Sequence, residues 1–463
     1  MSPAEPSAAG ESQAPVRSAV RPLVLIANAR LPSQRAQSLQ VTQVAAAFAR
    51  AGAPTTLLHA RRHPTPKLPA GQDLFDYYNV APIPAPAVKP TVEAVACVDW
   101  IDRVPTRFQY VPARIQELSF ARNAARRVRA LARDRPGLLV LSREAESALS
   151  LVRAGFPDVF VEVHRVPGGR SRRRWLLEAA AGSRGLVAIS GGVKEDLVAL
   201  GVPEADVRVE HDGFERTAPE GASHAEPAPG LEHAAGMDRG ASGDRGGHEE
   251  VTEVRAKARA ELRLDPARPL VVYTGGLLRW KGVEYLVEAA RLLPDVQVVI
   301  AGGMTADVER LRAFATGPDG KLPANLRLDG FQPPTRIPTY LAAADVGVIP
   351  NAKTPAISAR YTSPLKAFEA MAAGLPQVVS DLPSLREVFP GTPEESGALR
   401  VEPESPAALA EGLRNVIEQP QLHAAMRAAL LRRAPEHTWD ARAERLLGWM
   451  AERSNGIEGA ATR

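Results

Sequence analysis

The chain has 463 residues, enough for two or three domains, and its hydrophobic fraction of 45% is that of a globular protein. Aromatics supply only 5%, so the core must rest on Leu, Val and Ala; a single cysteine, Cys97, excludes an intramolecular disulfide framework and a cysteine-only metal cluster. With 57 basic against 53 acidic residues the net charge is +4, too balanced to point to nucleic acid across the chain, and no apolar run reaches the roughly 18 residues of a transmembrane helix.

Residues 1–20 are rich in Ser, Ala, Pro and Glu and are expected to be disordered; they hold no apolar h-region, so no secretory signal is expected. PLVLIAN (22–28) is a continuous apolar run of the kind buried parallel strands show. Val41, Val44, Ala45 and Phe48 then recur at helical spacing, with Gly52 where a C-cap belongs, and TTLLH (55–59) reads as a strand. Residues 61–112 are proline-rich and show no periodicity. The alternation resumes with strands at 138–142, 159–164, 186–190 and 207–213, separated by helices at 144–153, 173–181 and 193–200.

From Thr217 to Glu250 the only large apolar residues are Leu231 and Met237, so a disordered linker is expected over 217–252. Its histidines, His224, His233 and His248, fit no compact metal site. A second alternation follows, with strands at 269–275, 295–303, 325–330, 345–350 and 376–381, a helix at 365–373, and helices over about 405–418, 421–433 and 439–453. This rhythm predicts an α/β chain of two doubly wound, Rossmann-like units, 21–216 and 253–435, followed by a final helical segment, 436–455. Ligands bind such units at the carboxyl ends of the strands, and two facing units leave a cleft between them.

Two segments carry chemistry. In YTGGLLRWKGVEYLVEAARLL (273–293) a strand ends in Gly275 and Gly276, and Arg279 and Lys281 precede a helix. Bare backbone and two cations at a helix entrance suit a phosphate; a tight βα turn with surface charges is the other reading. The spacing is neither that of a P-loop nor GxGxxG. In ARYTSPLKAFEAMAAGLPQVVSDLPSLREVF (359–389), Ser363 is expected to cap the following helix. Lys366 near that N-terminus opposes the dipole and so is expected to serve something other than the helix. Glu369, one turn on, could accept hydrogen bonds from sugar or ribose hydroxyls, or lie on a solvated face.

Together these segments, with DGFQPPTRIPTYLAAADVGVIPN (329–351) between them, resemble the C-terminal half of the retaining family 4 glycosyltransferases. NARLPSQRAQSLQVTQVAAAFARAG (28–52), FVEVH (160–164) and SGGVKEDLVALGVPEADVRVEHDGFE (190–215) are similar to parts of that family's first domain. The resemblance implies the GT-B architecture, with a nucleotide-diphosphate sugar as co-substrate, no other cofactor and no metal. It also implies that the last helix crosses back to the first domain.

Carried over by resemblance, Lys281 contacts the donor diphosphate and Glu369 the ribose. Gly276 stands where the family usually has an arginine, so Arg279 becomes the candidate second cation. Tyr361 stands where the family has the first of two glutamates, and the backbone of Leu365 and Lys366 is offered to a phosphate. His164 is expected to face the donor sugar; a lone strand-end histidine is the alternative. Arg30, Ser33, Gln34 and Arg35, after the first strand, are expected on the acceptor side.

Two basic clusters stand apart: Arg122, Arg126, Arg129 and Arg133 on one helical face, and Arg170, Arg172, Arg173 and Arg174 beside Trp175. They are either solvated surface or a site for anionic lipid or an anionic acceptor. The implied activity is metal-independent, retaining transfer of a sugar to a glycan, lipid-linked or small-molecule hydroxyl. The setting expected is the cytoplasm, free or against a membrane, with no nucleic-acid partner. A GT-B sugar-nucleotide epimerase and a non-catalytic GT-B subunit are the alternatives.

Overall fold

A computed structural model of the chain describes residues 20–216 and 244–455. Strands β1 (Leu23–Ala27), β2 (Thr55–Ala60), β3 (Thr91–Val95), β4 (Leu139–Ser142), β5 (Val159–Val163), β6 (Gly185–Ala188) and β7 (Val207–Val209) form one sheet, in the order β3-β2-β1-β4-β5-β6-β7. Strands β8 (Leu270–Thr274), β9 (Gln297–Ala301), β10 (Leu326–Gly330), β11 (Val346–Ile349), β12 (Gln377–Ser380) and β13 (Ala398–Val401) form the second, in the order β10-β9-β8-β11-β12-β13. The pairings in both sheets are parallel. These are the doubly wound sheets that the apolar runs predict, and strand order reverses between β1 and β4 and between β8 and β11.

Two stretches differ from the sequence reading. The aperiodic region 61–112 holds β3 and a helix, Leu74–Tyr77, closed by a capping box of Asp73 and Asp76. β3 is an edge strand with mostly exposed or half-buried side chains, so it shows no apolar run. The linker expected over 217–252 falls outside the described residues up to 243, but a helix, Asp244–Glu261, already begins within it. That helix is held at its C-terminal end: Ala258 is buried in a core with Leu262, and Arg259 donates to Asp345 at 2.6 Å. Local composition cannot register a helix fixed by such tertiary contacts.

The carboxyl ends of the two sheets face each other. Ser190, following β6, donates to the Arg360 carbonyl at 2.9 Å, and the Gly191 amide donates to Glu387 at 2.7 Å. The Asp212 amide, beyond β7, donates to the Ser363 hydroxyl at 2.7 Å. The last helix, Trp439–Asn455, lies against the first sheet. Trp439, Ala443, Leu446 and Met450 share a core with Leu23, Leu25 and Phe160, and the Trp439 indole donates to Gln43 at 2.9 Å.

Arg442 of this helix, 2% exposed, donates to Glu162 of β5 at 2.7 Å. Removing one partner of an isolated buried pair costs about 3–5 kcal/mol, but Glu162 keeps Arg143 at 3.1 Å and His164 at 2.7 Å. Arg442→Ala should therefore lower unfolding stability by about 1–3 kcal/mol in urea titration, and an unchanged midpoint would contradict this role for the pair.

Candidate functional site

The second domain's half of the cleft is built on the end of β8. Gly275 has a positive φ of 125°, and a Cβ there would meet the Lys366 side chain at 3.4 Å. Gly302, after β9, approaches so closely that its Cβ would lie 2.2 Å from the Gly275 carbonyl oxygen. The Tyr273 hydroxyl donates to the Gly276 carbonyl at 2.6 Å. Gly276 itself is exposed, and a Cβ there would meet nothing within 4 Å.

Lys366 and Lys281 converge on this loop. The Lys366 ammonium lies 3.4 Å from the Tyr273 ring centroid and is buried with no hydrogen-bond partner among the described residues. Burial and the nearby Lys281 charge push its pKa well down, against the pull of Glu369. Burial lowers Lys281 to about 8, and its ammonium sits 4.1 Å from the Trp280 ring centroid. Burial raises Glu369 to about 7 despite Lys366. Two desolvated cations beside one carboxyl that resists ionisation attract an anion. Arg279 is exposed.

Ser363 is not the helix cap. Pro364 occupies the cap position of the helix Leu365–Ala372 without a side-chain bond; the Ser363 hydroxyl accepts from Asp212 across the cleft instead. Leu365 packs against the first domain's core. Tyr361 reaches into the first domain: its hydroxyl donates to Asp196, while Arg360 pairs with Glu195 and Asp196 at 2.9 Å each.

His164 follows β5, and one ring nitrogen lies 2.7 Å from both the Arg143 guanidinium and the Glu162 carboxylate, accepting from the first in one tautomer and donating to the second in the other. Burial and Arg143 lower the imidazole pKa, against Glu162. Burial alone would raise Glu162, yet Arg442, His164 and Arg143 hold it well below the carboxylate range. Arg143 also donates to Gln40 at 2.7 Å, and Gln40 donates to Asp212. A continuous polar chain therefore runs from His164 through Arg143, Gln40 and Asp212 to Ser363. Asp212 within it is raised to about 7 by burial, against Arg442.

The loop after β1 is mixed. Ser33 is buried, its backbone exchanging hydrogen bonds with the Tyr78 hydroxyl and its side chain bonded to Ser38 at 2.7 Å, so it supports the loop and does not line an acceptor face. Arg30 pairs with Asp102, and Gln34 and Arg35 are exposed.

Sequence reasoning missed Arg143, Gln40, Asp212 and Asn351. Asn351, after β11, is fully buried with neither amide atom partnered among the described residues. The available signal was Glu162, a charge inside the apolar run VFVEV, which demands a buried partner.

Two Rossmann-like domains, with a cationic glycine loop on one cleft wall and a histidine on the other, define a GT-B protein. The solved structures agree on the fold: sucrose-phosphate synthase from Thermosynechococcus elongatus superposes with a TM-score of 0.64 at 19% identity, covering 94% of this chain and 100% of that one. Anabaena Alr3699/HepE, solved in complex with UDP, gives a TM-score of 0.62 at 14% identity, covering 93% and 99%.

Residues 254–432 match the family described as Glycosyl transferases group 1. A D-inositol 3-phosphate glycosyltransferase of Mycolicibacterium gilvum is 35% identical over 128 residues, 27% of each chain. D-inositol 3-phosphate glycosyltransferase 1 of Catenulispora acidiphila is 30% identical over 222 residues, 45% of this chain and 49% of that one. The chain thus spans about half or less of the length of these curated relatives.

Gly282 ends the short turn Arg279–Lys281 in the left-handed region, at φ 69°, and a Cβ there would fall 1.8 Å from the Pro350 carbonyl oxygen. Gly282→Ala should destabilise the chain by more than about 1 kcal/mol in urea titration, and an unchanged midpoint would show that the turn relaxes freely.

Proposed function

We infer that the protein is a glycosyltransferase that moves a sugar from a nucleotide-diphosphate donor to a hydroxyl acceptor, with retention at the anomeric carbon. The observation that carries this reading is the buried, unpartnered Lys366 ammonium facing Lys281 at a glycine loop. As the glycosidic bond breaks, the bonding pair stays on the leaving diphosphate, whose negative charge grows. Lys281 and Lys366 meet that charge in a desolvated site, where fixed cations act most strongly. The first backbone amides of the helix Leu365–Ala372 add to them.

Glu369, one turn inside the helix, serves the donor's ribose. His164, held by Glu162 and Arg143, faces the sugar from the opposite wall. Burial and Arg143 disfavour the charged imidazole, which orients the sugar by hydrogen bonding. By resemblance to the family, the acceptor hydroxyl attacks from the face the diphosphate leaves, passing its proton to the departing phosphate oxygen. Closure of the two domains would keep water from the donor. Structural neighbours solved with UDP and UDP-glucose make these the first ligands to try.

Calorimetric titration with UDP tests the site. Lys281→Ala and Lys366→Met should each weaken binding at least about tenfold, the effect of losing one charge-assisted contact. Lys281 is protonated below its pKa of about 8 and neutral above it, so affinity should fall as pH rises through that value. NMR of the product should show the donor's anomeric configuration retained. No binding of any nucleoside diphosphate, or equal affinity in the Lys281 variant, would overturn the assignment. Conversion of the donor without an acceptor would replace transfer by epimerisation.

A further inference from the structure

The helix Tyr110–Asp134 packs one face into the first domain through Phe120, Ala121, Ala124, Val128 and Leu131. Its outward face is divided along its length. Val111, Ile115 and Leu118, then Arg122, Arg126, Arg129 and Arg133, are all exposed. They follow one another at steps of three and four residues, so they form one stripe within an arc of about 80° and about 33 Å long. Its first third is apolar, the rest is cationic, and no acidic residue falls on it.

The apolar end is extended by its neighbours. Trp100, Phe108 and Tyr110 are each more than half exposed, with Tyr110 at 69%. Arg103 and Arg107 are exposed beside them, and the Arg107 guanidinium lies 4.8 Å from the Phe108 ring centroid. The second basic cluster is joined to the same helix, because Arg172 bonds Glu117 at 2.9 Å and so brings the exposed Arg170, Arg173 and Arg174 close to it. Asp102, next to Arg103, is already paired with Arg30.

We propose that this face docks on an anionic phospholipid bilayer, the aromatic and aliphatic end entering the interface and the arginine stripe lying on the phosphates. A contiguous exposed apolar patch marks an interaction surface. Trp and Tyr beside aliphatic side chains suit the boundary between headgroups and acyl chains; Trp100, Phe108 and Tyr110 can stack bases, but Val111, Ile115 and Leu118, which continue the patch, cannot. The cationic stripe matches anionic headgroups in charge. A symmetric dimer through this face would set these arginines against apolar side chains or against other arginines, which desolvation and like-charge repulsion oppose. The inference does not depend on the transfer reaction.

Sedimentation with vesicles tests it. The full chain should pellet with vesicles of equal parts phosphatidylcholine and phosphatidylglycerol and remain in solution with phosphatidylcholine alone. Raising salt to about 1 M, where charges are screened within a few ångströms, should release it. The triple variants Val111→Ser/Ile115→Ser/Leu118→Ser and Arg122→Glu/Arg126→Glu/Arg129→Glu should each lower the partition at least about tenfold. Every substituted side chain is exposed, and an unchanged thermal midpoint checks the fold of each variant. Equal pelleting of the chain and its variants would overturn the proposal. So would a dimer in light scattering that the apolar variant dissociates, or salt-sensitive capture of single-stranded RNA with no vesicle binding.

Discussion

A carboxylate buried in the middle of a parallel sheet needs partners, and much of the first domain is arranged around one. Glu162 sits on β5 between apolar neighbours and is 3% exposed. Left alone it would protonate, because desolvation disfavours its charge. Arg442, Arg143 and His164 keep it ionised instead, from three separate parts of the chain. Arg442 arrives from the last helix, so Glu162 fixes where that helix lies on the first sheet. Arg143 follows β4, beside the point where strand order reverses, and His164 is oriented at the carboxyl end of β5 itself. One ion cluster thus sets a tertiary contact and a cleft side chain together.

The second domain shows the opposite electrostatics. Glu162 is over-supplied with cations, whereas among the described residues Lys366 has only Glu369 to draw on, beside Lys281, and burial resists the ionisation of Glu369 itself. Such an arrangement opposes folding, since each desolvated charge prefers its neutral form. Natural sequences break local consistency of this kind mainly at functional sites. The glycines around it follow the same logic. Gly302 lets one backbone segment pass hard against another at Gly275, and Gly275 itself adopts a positive φ of 125° that other side chains rarely take.

The sheets are legible in the sequence because parallel strands covered on both faces must be nearly all apolar, and such runs alternating with helical periods have few other readings. β3 is not, because an edge strand has no such requirement. Lys281, Lys366 and Glu369 can be read as a group through the resemblance, which both short segments of the second domain carry. Gln40, Arg143, Asp212 and Arg442 cannot, since they meet only after chain segments far apart in sequence have packed. Ser363 illustrates the limit most directly. A serine just ahead of a helix satisfies the local preference for a cap, yet an amide from the other domain takes its hydroxyl.

The join between the domains is uneven, and this bears on how the cleft can work. The Asp212 amide and Ser363 meet in a buried contact, and Leu365 enters the first domain's core nearby. Three residues before Ser363, Arg360 pairs with Asp196 and with Glu195, whose side chain is 72% exposed. Exposed pairs of that kind contribute about 0–1 kcal/mol each. The buried contact lies two residues before the helix whose N-terminus carries Lys366, and it is also the last link of the polar chain from His164. Both walls of the cleft are therefore referenced to the same firm contact, and the neighbouring bonds of Ser190 to the Arg360 carbonyl and of Tyr361 to Asp196 hold the walls there too, so the solvated arginine pairs add little to fixing their separation.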